Sequence, residues 1–215
     1  MAEPSDSSGH LAVAFATEMT LDMYKAFPED ASKMIEVVDG WVVRCESAEP
    51  SHQAIQYNFI TALRKSVRNT DARKDTCHRV SHDLDVLISA EPKLHFRRPD
   101  VVVYRCIDPN RGGKWPRKPY ASDCVLVVEI VSADSVTTDL RDKRAEYAAA
   151  GIPHYWIVRM EDNDGPAISV ERLVLTANGD YIREDLAVRR VDFHAVTMGE
   201  PFQLKLTWEE LDDGL

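Results

Sequence analysis

Residues Cys124 to Val158 read CVLVVEIVSADSVTTDLRDKRAEYAAAGIPHYWIV, a stretch that predicts strand, helix, strand. The first strand is apolar throughout Val125–Val128 and again at Ile130–Val131, as in strands covered on both faces. Glu129 interrupts it. A carboxylate inside a buried strand is costly unless a cation, hydrogen bonds or a metal satisfies it. The helix that follows is capped from Ser135, Thr137 or Thr138, has Asp139 at the positive end of its dipole, and is stopped by Gly151 and Pro153. Leu140, Tyr147 and Ala148 form its apolar stripe, flanked by Lys143 on one side and Arg144 on the other. Either cation can reach towards the strand, and periodicity alone does not choose. The run His154–Val158 is the second strand, and a unit of this length implies parallel pairing in an α/β sheet.

Working outward, the 215 residues suit one domain with elaborations: a weakly structured lead over 1–16 and a single domain over 17–215. No apolar run is long enough to span a membrane, and the polar start lacks a signal peptide's features. Cys45, Cys77, Cys106 and Cys124 show no paired spacing and are read as reduced thiols of a cytoplasmic protein. The net charge of −10 weighs against a protein that coats nucleic acid by bulk electrostatics. Cations nevertheless cluster, six between Arg64 and Arg79 and seven between Arg97 and Lys118, half of the 26 in the chain. A local basic wall on an acidic body is one reading of these clusters, and solvated loops and a helix face are the other.

Upstream, Thr20–Phe27 predicts a short helix ended by Pro28, and Lys33–Cys45 a β-hairpin turning at Asp39-Gly40. Glu36 in its first arm reads as an exposed cross-strand partner. Pro50 opens a helix whose Ile55, Phe59, Leu63 and Val67 give a core face over 51–68, with His52 in its first turn. By itself that histidine reads as structural. Short strands follow at Asp75–Val80 and Leu84–Ile88, then Leu94–Tyr104, in which Pro99 leaves Asp100 at a strand's end. A Gly-, Pro- and cation-rich loop covers 109–122. Beyond Val158, Ile168–Leu175, Tyr181–Leu186 and Gln203–Leu206 predict an antiparallel extension, and Trp208–Leu211 a closing helical turn.

Asp100 beside one apolar strand, Glu129 within the next, and Lys143 or Arg144 on the following helix form a chemical constellation. Two neighbouring carboxylates repel, and a divalent cation relieves them. Oxygen ligands suit Mg2+ or Mn2+ better than zinc.

Arg98-Pro99-Asp100-Val-Val-Val, Val-Val-Glu129-Ile-Val-Ser132, Asp139-Leu140-x-x-Lys143-x-x-x-Tyr147 and Gly151-Ile-Pro-His-Tyr-Trp156 together resemble the Uma family of bacterial restriction-endonuclease-like proteins, part of the PD-(D/E)xK nuclease superfamily. The hairpin around Glu36 and the helix entry Ser51-His52 match as well, which adds Glu36 and His52 to the candidate catalytic set. The resemblance implies an α/β fold: a restriction-endonuclease-like core with a central mixed sheet flanked by helices, an N-terminal hairpin and a C-terminal antiparallel extension. It implies Asp100, Glu129 and Lys143 as catalytic residues, Asp100 and Glu129 as ligands of Mg2+ or Mn2+, and DNA phosphodiester hydrolysis. It also settles Lys143 over Arg144. Two positions depart from the family: Ser132-Ala133-Asp134-Ser135 replaces Ser-Pro-Ser, and Arg159 stands where an acidic residue commonly follows the Tyr-Trp strand.

Under this reading Arg111, Lys114, Arg117 and Lys118 of the 109–122 loop, together with the basic segment 64–79, contact DNA phosphates, and cutting two strands calls for a homodimer. The alternative is a nuclease fold without catalysis, a binding or scaffold module in which Glu129 and Lys143 form a buried ion pair. A third possibility is a hydrolase of small phosphorylated molecules.

Overall fold

The computed structural model describes residues 16–45, 48–107, 117–131, 137–192 and 195–215. In chain order these form α1 (Leu21–Ala26), α2 (Glu29–Ser32), β1 (Ile35–Val38), β2 (Trp41–Arg44), α3 (Pro50–Lys74), β3 (His78–His82), β4 (Val86–Ser89), β5 (His95–Arg97) and β6 (Val101–Arg105). A short 3-10 turn at Ala121–Asp123 leads into β7 (Cys124–Val131), followed by α4 (Thr137–Ala149), β8 (His154–Met160), β9 (Ala167–Leu175), β10 (Tyr181–Val188), β11 (Ala195–Met198), β12 (Leu204–Thr207) and α5 (Trp208–Leu211). They gather into two compact units, one from Met1–Ser47 and Asp85–Arg98, the other from Ala48–Leu84 and Pro99–Leu215.

In the first unit the hairpin turns as its sequence demands, with Asp39 at φ 49° and Gly40 at φ 85°. Both central residues of a primed turn take positive φ, which is why Asp-Gly is favoured there. The sheet is four strands in the order β2-β1-β5-β4, over a core of Ile35, Val37, Leu94 and Phe96. This corrects the reading of Glu36 as exposed. Because β5 pairs on the far side of β1, that strand is internal and Glu36 is buried.

The second unit is built on a six-stranded mixed sheet, order β10-β9-β8-β7-β6-β3, in which β7 and β8 run parallel and every other pair is antiparallel. Strand residues alternate between two faces. Val101, Val103, Leu126, Val128, Trp156 and Val158 point to the face covered by α3, against Ile55, Phe59, Leu63 and Val67. The Phe59 and Trp156 rings meet edge to face at 6.1 Å. The opposite face receives α4 through Tyr147, whose ring meets Tyr155 at 5.5 Å. With both faces of β7 covered, its continuous apolar run is accounted for. The β11–β12 hairpin and α5 extend the α3 side, where Ser66 bonds the Gln203 carbonyl and Asn58 the carbonyls of Leu211 and Asp213.

Three local expectations shift. Helix α3 outruns its predicted 51–68 and reaches Lys74, with buried Thr70 prolonging the inward stripe beyond Val67. It ends at Asp75, which caps it in the left-handed region at φ 51°, so the strand expected from Asp75 starts only at His78. The strand expected from Leu84 begins at Val86. The cysteines also differ. Cys77 and Cys106 form a disulfide, Cα atoms 5.4 Å apart, because the antiparallel register pairing His78 with Arg105 sets them opposite each other one residue further on. Cys45 and Cys124 are not part of a disulfide. Cysteine usage therefore no longer argues for a reducing compartment. Among the described residues, no helix is long and apolar enough to cross a membrane.

Candidate functional site

At one end of β7, four of the expected residues converge. Asp100 lies one position beyond the last β6–β7 pair, Val101 with Val128, so it stands beside Glu129. Its Oδ2 accepts the backbone N–H of Ile130 at 2.6 Å. Its Oδ1 lies 3.4 Å from His52 Nε2, which also contacts the Ile130 carbonyl oxygen at 3.1 Å. Gln56, one helical turn after His52, donates to the Asp100 carbonyl at 2.9 Å and to Asp83 Oδ1 at 3.1 Å. The first two turns of α3 thus hold the Asp100 end of the site.

Glu129 has its partners on the α4 side. Lys143 Nζ donates to Oε2 at 3.2 Å, and the Tyr147 hydroxyl donates to Oε1 at 2.8 Å. The carboxylate is only 5% exposed and the lysine 13%, so this is a buried ion pair with an added hydrogen bond. Lys143 and Tyr147 are four residues apart and share one face of α4. Arg144 turns elsewhere and bonds the Tyr181 carbonyl at 2.6 Å.

His52 is perturbed by this setting. Burial is the largest influence and pulls its pKa down, but the hydrogen bond and charge of Asp100, the Ile130 carbonyl and the Asp83 charge outweigh it, leaving the imidazole above its ordinary value. Among the described residues, its buried Nδ1 has no hydrogen-bond partner.

Glu36 belongs to the other unit. It accepts from Arg97 Nη1 at 2.8 Å and from the Arg98 backbone N–H at 2.7 Å. Arg117 and Lys118 lead into the opposite end of β7 from Glu129, roughly 17 Å along a strand of this length. Arg117 is engaged there: its guanidinium bonds both Asp123 oxygens, at 2.6 and 3.1 Å, and stacks 4.5 Å over Tyr120. That hydrogen bond is the main reason the Asp123 carboxyl is held below the usual range. Arg111 and Lys114 lie outside the described residues.

Hard oxygen donors gather at this site. Asp100 Oδ1 and the Ile130 carbonyl both face His52 Nε2, and the Glu129 carboxylate, held by Lys143 and Tyr147, stands beside Asp100. This donor chemistry fits Mg2+ or Mn2+. Among the described residues, no three His, Cys, Asp or Glu side chains group to hold a metal, so an ion here would depend on two carboxylates and a carbonyl.

Sequence reasoning missed Tyr147 and Gln56 as polar partners. Spacing places Tyr147 in the apolar stripe, which its ring does join. The signal for Gln56 was its place four residues after His52, a polar pair beside the apolar stripe of α3.

The chain matches the family model Uma2, described as "Putative restriction endonuclease", over residues 21–208. Among solved structures it is similar to a protein from Anabaena variabilis ATCC 29413 described as "a putative nuclease belonging to DUF820". The TM-score is 0.59 with 18% identity, covering 90% of this chain and 97% of that one. No curated protein matches the chain.

Proposed function

The chain belongs to the Uma2 family, and on that premise we propose that it is a metal-dependent endonuclease that hydrolyses DNA phosphodiester bonds at Asp100, Glu129 and Lys143. The observation that carries this reading is the Asp100–Glu129 juxtaposition at the end of β7, with Lys143 in direct contact with Glu129. Asp100 and Glu129, with the Ile130 carbonyl, would hold Mg2+ or Mn2+. When bound, the ion would polarise the scissile phosphate and acidify the attacking water.

The chain's own residues supply the rest. The Ile130 N–H and His52 fix the two Asp100 oxygens, which makes His52 a positioning residue. Tyr147 fixes Glu129 from the other side. Lys143 brings a positive charge to the carboxylate rim, where it can orient water or stabilise charge growing on the phosphate. The buried pairing of Glu36 with Arg97 supports a structural role for that glutamate, not a chemical one. Cutting both strands of a duplex usually takes two such centres, so the proposal includes a homodimer.

A scaffold reading has one observation of its own: Glu129 is satisfied by Lys143 and Tyr147 with no ion required. Calorimetric titration with Mn2+ separates the two. The nuclease reading expects wild-type binding that weakens at least tenfold in Asp100→Asn, together with Mn2+-dependent nicking of plasmid DNA. Equal weak affinity in both proteins, with no nicking, would favour the scaffold.

A further inference from the structure

The sheet face that carries Glu129 holds a second charged feature further across. Register places Glu129, Ile157, Glu171 and Leu186 in one row over β7, β8, β9 and β10. The next row on the same face is Val131, Arg159, Ser169 and Val188. The outer part of these rows lines an open groove of about 570 Å3, floored by Leu186 and Val188 and walled by Arg159, Arg183, Arg190, Glu161 and Glu171.

The arginines here are loosely held. Arg159 and Arg183 approach Glu171 at 3.8 and 4.0 Å, and Arg190 approaches Glu161 at 4.0 Å. All three separations exceed hydrogen-bond length. Arg117, in contrast, grips Asp123 at 2.6 Å with both arms engaged. Donors of the groove's guanidinium forks therefore remain available for a ligand, and planar forks match phosphate oxygens. Three cations against two carboxylates leave the groove one positive charge in surplus, on a chain of net charge −10. Arg159 is one strand over and two residues along from Glu129, a Cα separation on the order of 8 Å from strand geometry. The groove thus continues the face on which the Glu129 carboxylate stands.

We propose that this groove carries the phosphodiester backbone of duplex DNA flanking the scissile phosphate, with Arg159, Arg183 and Arg190 on its phosphate oxygens. The inference rests on the DNA-hydrolase reading of the Glu129 site. Glu171 sits between Arg159 and Arg183, and Glu161 faces Arg190, all beyond hydrogen-bond length.

The test is fluorescence anisotropy of a labelled duplex DNA in EDTA, where metal-dependent cutting is blocked, at salt from about 50 to about 200 mM. Each neutralised phosphate contributes a slope of about 0.9 in log affinity against log salt. The variant R159Q/R183Q/R190Q is expected to lose about 2–3 of that slope and at least tenfold in low-salt affinity. R190Q alone, with its side chain 90% exposed, is expected to lose about 1 and decides the matter should the triple variant fail to fold. Wild-type slopes retained in both variants would overturn the groove while leaving DNA binding, and so the nuclease reading, intact. Wild-type protein that fails to bind duplex DNA even at low salt would overturn both.

Discussion

Tyr147 donates its hydroxyl hydrogen bond to Glu129 Oε1 at 2.8 Å across the interface of α4 and β7, on a carboxylate that Lys143 also holds. A residue of the helix's apolar stripe is therefore part of the polar site. Its ring packs on Tyr155 while its oxygen reaches the charge.

Tyr147→Phe keeps that ring and removes only the hydroxyl. A hydrogen bond to a buried charged group is worth about 1.5–3 kcal/mol, so denaturant unfolding should report a loss in that range. A loss of only a few tenths would mean that Glu129 does not depend on Tyr147.

His52 and Asp100 predict a pH dependence in the metal-free protein. The folded-state pKa of His52 lies above its ordinary value, so the pair's contribution to stability is fully present below about 6.5 and is lost as pH rises through the folded value. In Asp100→Asn, burial loses its main opponent and the His52 pKa should fall below its wild-type value. NMR titration of the imidazole checks the shift, and denaturant melts at about pH 6 and about pH 8 check the sign. A stability gap between wild type and variant that widens with pH would contradict it.

The thiols should divide by environment. Burial first, and the Asp123 charge second, push the Cys124 thiol up to about 12, so it carries almost no thiolate near neutrality. Cys45 is partly exposed. A thiol reagent at neutral pH should label Cys45 in the native protein and add Cys124 only on unfolding, with Cys77 and Cys106 unlabelled until a reductant is present. Four labelled thiols in unreduced, unfolded protein would exclude the disulfide.

What the sequence made legible was local. The strand–helix–strand from Cys124 to Val158, the Asp39-Gly40 turn and the core stripe of α3 each follow from a period or a turn residue within a short window. That Asp100 opens one apolar strand and Glu129 interrupts another was also readable, since Pro99 and the apolar runs mark where each strand lies. What stayed hidden depends on contacts between distant segments. Glu36 is buried because β5 and Arg97 arrive from 61 residues away, and Cys77 meets Cys106 across 29. His52 reaches the Ile130 carbonyl over a separation of 78. No periodicity encodes such partners. The choice between Lys143 and Arg144 was equally undecidable from spacing, and it is the helix's rotation over β7 that sends Lys143 to Glu129 and Arg144 to Tyr181.

The most direct test of the account is Lys143→Met, measured for unfolding free energy and for plasmid cleavage rate in Mg2+. Methionine keeps the packing of the stem. Breaking a buried ion pair by removing one partner typically costs about 3–5 kcal/mol. Here Tyr147 still holds Glu129, and a bound ion would neutralise it, so the loss with Mg2+ present should fall well under that range. The account predicts a folded variant that cleaves at least about a hundredfold more slowly than wild type, the scale of losing one group that stabilises transition-state charge. Cleavage at the wild-type rate would exclude Lys143 from the chemistry, and the full ion-pair loss in a protein with no wild-type cleavage would show that the pair is architectural.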